Sequence, residues 1–187
     1  WFFHTPGLKI VYPSNPYDAK GLLCASFEDP NPVMYFEHKL LYRSVKELVP
    51  DDYYTVEIGK AKLVREGADL SIITYGMGVH WATEILESMN VEVDVLDLRT
   101  LLPWDKEAVE KTVKKTNRVL ILHEDTMTGG VGAEISAWIN EHCFQYLDAP
   151  VMRVASLDTP IPFAPTLEQN FLPKGRLKSK IEELAAF

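Results

Sequence analysis

The stretch HEDTMTGGVGAEI, residues 123–135, shows the plan of the chain most clearly. Four apolar residues, 119–122, run unbroken before it, which is typical of a short strand buried on both faces in a parallel sheet. After it, apolar residues recur at helical spacing from Ile135 to Tyr146. The region is therefore predicted to be a strand, a polar glycine-rich turn and a helix. In open α/β sheets, ligands collect at such turns, where strands reach their carboxyl ends.

The same alternation of strand and helix extends in both directions along the chain. Strands are predicted at residues 8–12, 33–37, 61–64, 70–75, 91–98 and 151–155. Helices are predicted at residues 15–27, after Gly78 to Met89, at 105–116 and around Leu177, Ile181 and Leu184. Strands that alternate with helices predict an α/β fold, with a mostly parallel sheet covered by helices on both faces.

The periodicity fails between Lys39 and about Val56, and we place a domain boundary near residues 51–55. Residues 1–55 hold one strand–helix–strand unit, which looks like the tail of a larger domain, and residues 56–187 form the second domain. The first helix is expected to bury Leu22, Leu23 and either Ser26 or Phe27. Because the chain opens on Trp1 without a methionine, we expect it to be part of a longer protein.

The composition excludes several classes of function. The chain of 187 residues carries a formal net charge of −8, which disfavours general nucleic-acid binding and attraction to an anionic membrane. No run approaches the roughly 18 apolar residues of a membrane-spanning helix. Cys24 and Cys143 have no metal-type spacing, so we expect reduced thiols in a reducing compartment.

The glycine-rich turn has two interpretations. Backbone N–H groups at Gly129, Gly130 and Gly132 can cradle an anion at a helix N-terminus. Alternatively, these glycines permit a tight turn and close packing against a neighbouring chain. His123 beside Glu124 suggests a general base, but adjacent strand residues point to opposite faces, so the two are not expected to pair.

Other candidate sites are weaker. Gly76 and Gly78 precede a helix as in a dinucleotide fingerprint, but Trp81 replaces the third glycine and disfavours nicotinamide binding. The acidic turn 28–31 ends a helix, whose negative dipole end can attract a cation, although the chemistry alone favours a solvated acidic turn. The remaining histidines are isolated in sequence and are interpreted as structural: His4, His38, His80 and His142.

Several segments resemble the beta subunits of thiamine-diphosphate-dependent 2-oxo acid dehydrogenases, and the resemblance covers essentially the whole chain. The matching segments are FHTPGLK (3–9), PYDAKGLL (16–23), NP (31–32), FEHK (36–39), LYR (41–43), DLRTLLPWD (97–105), HE (123–124), TGG (128–130), GAEI (132–135) and LDTP (157–160). The resemblance implies that residues from about 58 onward form a three-layer α/β/α sandwich like the transketolase C-terminal domain. Residues 1–55 then look like the tail of a pyrimidine-binding domain.

In this family, the intact enzyme decarboxylates a 2-oxo acid on thiamine diphosphate with magnesium and passes the acyl group to lipoyl-lysine. The family's activating glutamate and its catalytic histidine are expected upstream of Trp1, so this part alone should neither bind the cofactor nor catalyse. The implied partners are an alpha subunit or fused alpha region, a second beta chain and the acyltransferase's peripheral subunit-binding domain. The implied location is the cytoplasm of a bacterium or the mitochondrial matrix of a eukaryote.

The resemblance also implies specific residues and a substrate. PWD at 103–105 is closest to the branched-chain, 2-oxoisovalerate enzymes, with pyruvate or acetoin enzymes as alternatives. Ser26, Asp29 and Asn31 match residues of a structural potassium site, with Ser26 in place of the family's cysteine and further ligands expected upstream of Trp1. Glu182, Glu183 and Phe187 are candidates for docking the basic subunit-binding domain. His123, Glu124 and the three turn glycines are then interpreted as an interface element, with anion binding as the lesser alternative. A stand-alone regulatory ligand-binding α/β module is the competing hypothesis.

Overall fold

The computed structural model describes all 187 residues, which form eight strands and seven α-helices. The strands are β1 (Lys9–Val11), β2 (Val33–Tyr35), β3 (Lys62–Arg65), β4 (Leu70–Thr74), β5 (Val93–Asp97), β6 (Thr100–Leu102), β7 (Val119–Thr126) and β8 (Met152–Ser156). The helices are α1 (Pro16–Glu28), α2 (Leu41–Ser44), α3 (Met77–Leu86), α4 (Lys106–Thr116), α5 (Val131–Cys143), α6 (Pro165–Phe171) and α7 (Lys174–Ala185). None of the helices combines the length and the apolar character that crossing a bilayer requires.

The larger sheet has five strands in the order β3-β5-β4-β7-β8. All of its pairs are parallel except β3 with β5. Helices α4 and α5 pack on one face of this sheet, and α3 and α7 pack on the other. The predicted α/β/α sandwich with a mostly parallel sheet is therefore confirmed.

The two faces of the larger sheet follow from alternation along its strands. In β4, Ile72 packs with the α3 and α7 side chains, whereas Ile73 packs with those of α4 and α5. Both side chains are fully buried, and each such burial stabilises the fold by about 1.5–3 kcal/mol. Ser71 shares the α4 face, and its hydroxyl is satisfied by Thr112 Oγ1 and Thr116 Oγ1, at 2.7 Å each.

The smaller sheet has three strands in the order β2-β1-β6. β1 is parallel to β2 and antiparallel to β6, so Ile10 lies between Met34 and Leu102. The sequence pattern did not indicate β6, because three residues are too few to show a period. β6 lies beyond the predicted boundary near residue 55, so the two regions share a sheet. The division into residues 1–55 and 56–187 remains a prediction.

Helix α1 begins as its sequence predicts and buries a different face. Asn15 caps it by accepting a hydrogen bond from the Asp18 backbone N–H, at 2.8 Å. The prediction that Leu23 is buried is wrong, since it is 42% exposed. Of the two alternatives one turn later, Ser26 is half-buried and Phe27 is 84% exposed. The linker covers the Gly21 side instead, where a Cβ would lie 2.4 Å from Val56 Cγ2. The absence of a side chain at Gly21 thus decides which face the linker can approach.

Candidate functional site

The carboxyl ends of β4 and β7 form the switch point of the larger sheet. The chain leaves β4 for β5 on one side and later returns to β7 on the other. A cavity of about 490 Å³ lies over this edge, and its lining includes Tyr75 after β4 and Glu124 and Asp125 in β7. The smaller sheet supplies part of the opposite wall through Ile10, Tyr12 and Phe36. Because ligands of open α/β sheets bind at this position, this edge is the candidate functional site.

His123 is fully buried beneath the glycine-rich turn. Its Nδ1 donates to the Asp125 carbonyl oxygen at 3.1 Å, and its Nε2 has no hydrogen-bond partner. A Cβ on Gly130 would lie 2.5 Å from the His123 Cε1, and one on Gly132 would lie 2.6 Å from its Nε2. Burial lowers the pKa of His123, so the ring is neutral at pH 7 and its Nε2 carries a lone pair. Within the chain, both glycines make room for this imidazole ring.

The anion position beside Gly129 is occupied by the chain's own carboxylate. The Thr128 backbone N–H donates to Asp158 Oδ1 at 2.8 Å, and the Thr128 hydroxyl donates to Asp158 Oδ2 at 2.7 Å. These hydrogen bonds lower the pKa of Asp158. Gly129 adopts a φ of +76°, which favours glycine. Neither hydrogen bond uses the N–H groups of Gly129, Gly130 or Gly132, so anion binding there remains a prediction.

Glu124 points away from His123, as the alternation of a strand requires, and pairs with His38. The Glu124 Oε2 lies 2.8 Å from the His38 Nε2. This hydrogen bond raises the pKa of His38, although partial burial opposes the shift. Burial, with a further contribution from Glu124, raises the pKa of Tyr12 to about 12. His38 was interpreted as isolated because the two partners are 86 residues apart in sequence. No sequence rule indicates such a pair, because His38 follows β2 of the smaller sheet whereas Glu124 lies in β7 of the larger sheet.

Glu124→Gln is expected to lower the pKa of His38 towards its ordinary value, because the neutral amide no longer favours the charged imidazole. In the unmodified chain, the pKa of His38 is higher in the folded state than in the unfolded state, where it is about 6.5. The pair therefore stabilises the fold fully below about pH 6.5, and this stabilisation is lost as the pH rises through the pKa of His38 in the folded state. An NMR titration of the His38 ring measures both values. The neighbouring Asp125→Asn variant is the control and should leave His38 unchanged. An unaltered His38 titration in Glu124→Gln would contradict the assignment.

The potassium candidates Ser26, Asp29 and Asn31 lie around the end of α1. The Asp29 Oδ1 accepts hydrogen bonds from the Asn31 backbone N–H and side-chain amide, at 2.9 and 3.2 Å. The Lys9 ammonium contacts the other Asp29 oxygen, and this contact is the main cause of the lowered pKa of Asp29. The Ser26 hydroxyl instead donates to the Leu22 carbonyl oxygen at 2.7 Å. The chain itself therefore supplies a positive charge at this turn.

The docking candidates lie at the exposed end of α7. Leu177, Ile181 and Leu184 are fully buried against the larger sheet, so the opposite face of the helix meets solvent. Glu182 and Glu183 are exposed, and Phe187 is 59% exposed. The Lys180 ammonium lies 2.6 Å from Glu183 Oε2 and offsets part of this acidic charge. All three candidates are accessible to a partner.

Residues 59–176 match the family described as transketolase, C-terminal domain. The chain belongs to this family. The matched region begins just before β3 and reaches the first turn of α7. The transketolase C-terminal domain thus contains the whole larger sheet and the glycine-rich turn that packs over His123.

Curated relatives match along nearly the whole chain. The 2-oxoisovalerate dehydrogenase subunit beta of Bacillus subtilis is 48% identical over 191 residues, which cover 100% of this chain and 58% of the relative. The corresponding mitochondrial subunit of Dictyostelium discoideum is 49% identical, over 92% of this chain and 47% of its own length. A beta subunit of pyruvate dehydrogenase from Porphyra purpurea is 48% identical, over 90% of this chain and 52% of its own length. The chain spans about half the length of the curated relatives it matches.

Solved structures of transketolases share the fold. A split-gene transketolase, described as an inactive beta4 tetramer, superimposes with a TM-score of 0.78 over 98% of this chain and 59% of that chain, at 21% identity. A transketolase variant from Pichia stipitis superimposes with a TM-score of 0.62 over 100% of this chain and 26% of its own length, at 15% identity. At these identities the superpositions establish the fold of this chain and no more.

Proposed function

We propose that this chain is the C-terminal part of the beta component of a 2-oxo acid dehydrogenase whose substrate is 2-oxoisovalerate. The observation that carries the proposal is the 48% identity, over the full chain, to the Bacillus subtilis 2-oxoisovalerate dehydrogenase subunit beta. The whole enzyme would decarboxylate the 2-oxo acid with thiamine diphosphate and transfer the acyl group to lipoyl-lysine of an acyltransferase. In that enzyme this chain contributes assembly and docking.

We propose that thiamine diphosphate with magnesium is held by parts of the enzyme other than this chain. The glycine-rich turn, which is the chain's candidate anion cradle, is occupied by His123 and by the Asp158 carboxylate. No group of three or more His, Cys, Asp or Glu side chains is arranged to hold a metal ion. We therefore assign no chemical step to this chain and propose that the rest of the enzyme holds the cofactor.

The exposed apolar side chains support a role in assembly. Leu48 and Phe163 are almost completely exposed, and Phe27 is 84% exposed. Exposed apolar patches mark interaction surfaces in folded proteins. We propose that these groups face an alpha subunit or fused alpha region and a second beta chain. Because the relatives include bacterial and mitochondrial proteins, we place the complex in the bacterial cytoplasm or the mitochondrial matrix.

The test of the substrate uses the whole enzyme that contains this chain. Dye-coupled oxidation should give a kcat/KM for 2-oxoisovalerate that exceeds the value for pyruvate by roughly tenfold or more. A pocket that fits 2-oxoisovalerate gains contacts with its two additional methyl groups, which pyruvate lacks. The isolated chain should show no turnover in the same assay. A preference for pyruvate or acetoin would contradict 2-oxoisovalerate as the substrate. The similarity to the pyruvate dehydrogenase subunit of Porphyra purpurea supports pyruvate as the alternative. Failure of the whole enzyme to oxidise any of the three would favour a stand-alone ligand-binding module.

The docking proposal concerns Glu182, Glu183 and Phe187 and the basic peripheral subunit-binding domain of the acyltransferase. Opposite charges should steer the two together at low salt. Titration calorimetry should show binding to the unmodified chain that is weakened when Glu182 and Glu183 are both changed to Gln. The matched control is Glu110→Gln, because Glu110 lies on α4 and pairs with Lys114. Equal binding by all three chains would remove α7 from the docking surface.

The potassium proposal concerns Ser26, Asp29 and Asn31. Pro30 has no N–H group, so it leaves the Ser26 carbonyl oxygen without its usual helical donor and available to a cation. Thermal unfolding should occur at a higher temperature in potassium chloride than in sodium chloride, and Lys9→Met should enlarge the difference by freeing Asp29. Identical unfolding curves in the two salts for both chains would end the proposal.

A further inference from the structure

The two sheets meet at a buried cluster of ionisable groups. Asp97 ends β5 in the larger sheet, and its side chain is completely buried. Ser14 follows β1 of the smaller sheet, and its Oγ lies 2.5 Å from Asp97 Oδ2. Asp18, on α1, is also fully buried and lies 3.0 Å from the Arg99 Nη1. The junction therefore places two buried carboxylates beside one guanidinium group.

No hydrogen bond or ion pair joins the Arg99 guanidinium to the Asp97 carboxylate. Its Nη1 pairs with Asp18, while its Nε and Nη2 donate to the carbonyl oxygens of Lys60 and Ala61, at 3.0 and 3.4 Å. Only the backbone N–H of Arg99 reaches Asp97 Oδ1, at 3.0 Å. A negative Asp97 would therefore be buried without an ion partner, which is costly in a protein interior.

The other elements around Asp97 supply no second cation. Lys62 on β3 lies opposite Asp97 in the ladder, but it is exposed and makes no ion pair with it. Thr74 on β4, the neighbour on the other side, carries no charge. His80 on α3 is directed at the Ser14 carbonyl oxygen, at 2.7 Å. Asp18 adds only negative charge, and the Arg99 guanidinium that pairs with it is the single cation acting on Asp97, with less effect than burial.

Asp94, three residues earlier on the same strand, is a buried carboxylate that does form an ion pair. The Lys115 ammonium lies 2.7 Å from its Oδ1, and the Thr112 hydroxyl donates to its Oδ2 at 2.8 Å. The Gly67 backbone N–H adds a third hydrogen bond at 2.8 Å. The contrast with Asp97 lies in the missing cation.

We propose that Asp97 holds a proton in the closed chain, donates it to the Ser14 hydroxyl oxygen, and releases it to water when the junction between the two sheets opens. The neutral acid keeps both contacts. Oδ1 accepts from the Arg99 N–H, while the protonated Oδ2 donates to the Ser14 Oγ, in the reverse direction to the bond that the Ser14 hydroxyl donates to an ionised carboxylate. No buried charge is then left without a partner. The stability of the closed junction between the two sheets then depends on one proton.

The acidity of the group agrees with this geometry. Burial is the main factor that raises the pKa of Asp97 to about 7, with a smaller contribution from Asp18. The hydrogen bonds to Ser14 and to the Arg99 backbone and the positive charge of Arg99 act in the opposite direction. In the open state the carboxyl regains its ordinary pKa of about 4. The raised folded pKa means that the proton stabilises the junction fully below about pH 4, and that this stability is lost as the pH rises to about 7. The His38–Glu124 pair crosses the same junction and weakens in the same direction.

Asp97→Asn tests the proposal, because the amide has the shape and hydrogen bonds of the protonated acid at every pH. Hydrogen exchange of the Tyr12 amide reports opening, since this N–H donates across the junction to the Arg99 carbonyl oxygen at 2.7 Å. After correction for intrinsic exchange, the ratio of opening constants, unmodified over Asp97→Asn, should rise by about 30-fold between pH 5.5 and 8. A ratio that stays constant over this range would overturn the proposal. Asp94→Asn is the control, and its ratio should not change, because the Lys115 ammonium pairs directly with that carboxylate.

A second measurement uses the unmodified chain and stands even if Asp97→Asn fails to fold. The carbon-13 signal of the Asp97 carboxyl should titrate with a midpoint near 7. A midpoint at or below its ordinary value of about 4 would show that Asp97 is ionised at neutral pH and would overturn the proposal.

Discussion

Arg99→Ala is expected to lower the free energy of unfolding by about 3–5 kcal/mol, because it leaves the fully buried Asp18 carboxylate without its ion partner. The same change removes the donors to the Lys60 and Ala61 carbonyl oxygens, which lie at the start of the larger sheet's first strand. Urea unfolding followed by circular dichroism measures the loss. The variant should also expose α1 to proteolysis, since Asp18 anchors that helix to the larger sheet.

The control for Arg99 is an ion pair of similar geometry on the surface. The Lys174 ammonium lies 2.7 Å from Glu84, but both side chains are exposed. Solvent screens such pairs, so Lys174→Ala should cost no more than about 1 kcal/mol. Equal losses in Lys174→Ala and Arg99→Ala would show that burial of Asp18 does not set the energy of its pair.

Gly132→Ala is expected to lower the free energy of unfolding by about 1–3 kcal/mol, through overpacking against a buried ring. The new Cβ would lie 2.6 Å from the His123 Nε2 and 3.1 Å from an Ile121 methyl carbon. His123 has no space into which to retreat, because the ring is fully buried and tied to the Asp125 carbonyl. Urea unfolding measures the loss, and a shift of the His123 ring resonances should accompany it.

Gly175 provides a matched control for Gly132. Each glycine is the second residue of a long helix, α5 or α7, but no atom lies within 4 Å of a Cβ built on Gly175. Gly175→Ala should therefore stabilise the chain by about 0.4–1 kcal/mol, through the reduced freedom of the unfolded chain. The two substitutions should have opposite signs. A stabilised Gly132→Ala variant would mean that the contact with His123 relaxes freely.

The local elements of this chain were predictable from residues close together in sequence. The run of apolar residues in β7, the glycines after it and the helical spacing from Ile135 to Tyr146 each involve neighbours within a few positions. The spacing of apolar residues and the residue types of turns are both properties of neighbouring positions. The α/β class and the glycine-rich turn at the carboxyl end of β7 were therefore predicted correctly. β6 and the buried face of α1 were not, because both depend on contacts with distant segments.

The candidate site was predicted only in part, for the same reason. The position of His123 and the opposite directions of His123 and Glu124 follow from the strand. The partner of Glu124 does not, since His38 lies 86 residues earlier. Nor does the Asp158 carboxylate that fills the turn, which comes from a loop 30 residues later.

By itself, the sequence determined the alternating strands and helices, the glycine-rich turn at the end of β7 and the family resemblance, because these are properties of short segments. Only the tertiary structure decided which charges meet. Ser14 and Asp97 are 83 residues apart, and Asp18 and Arg99 are 81 apart, yet all four share one buried junction. Electrostatic energy depends on distance and burial, and neither exists for these groups until β1, α1 and β5 are assembled. The glycines of the turn pack against His123, whereas the buried carboxylates Asp18 and Asp97 lie where the two sheets join.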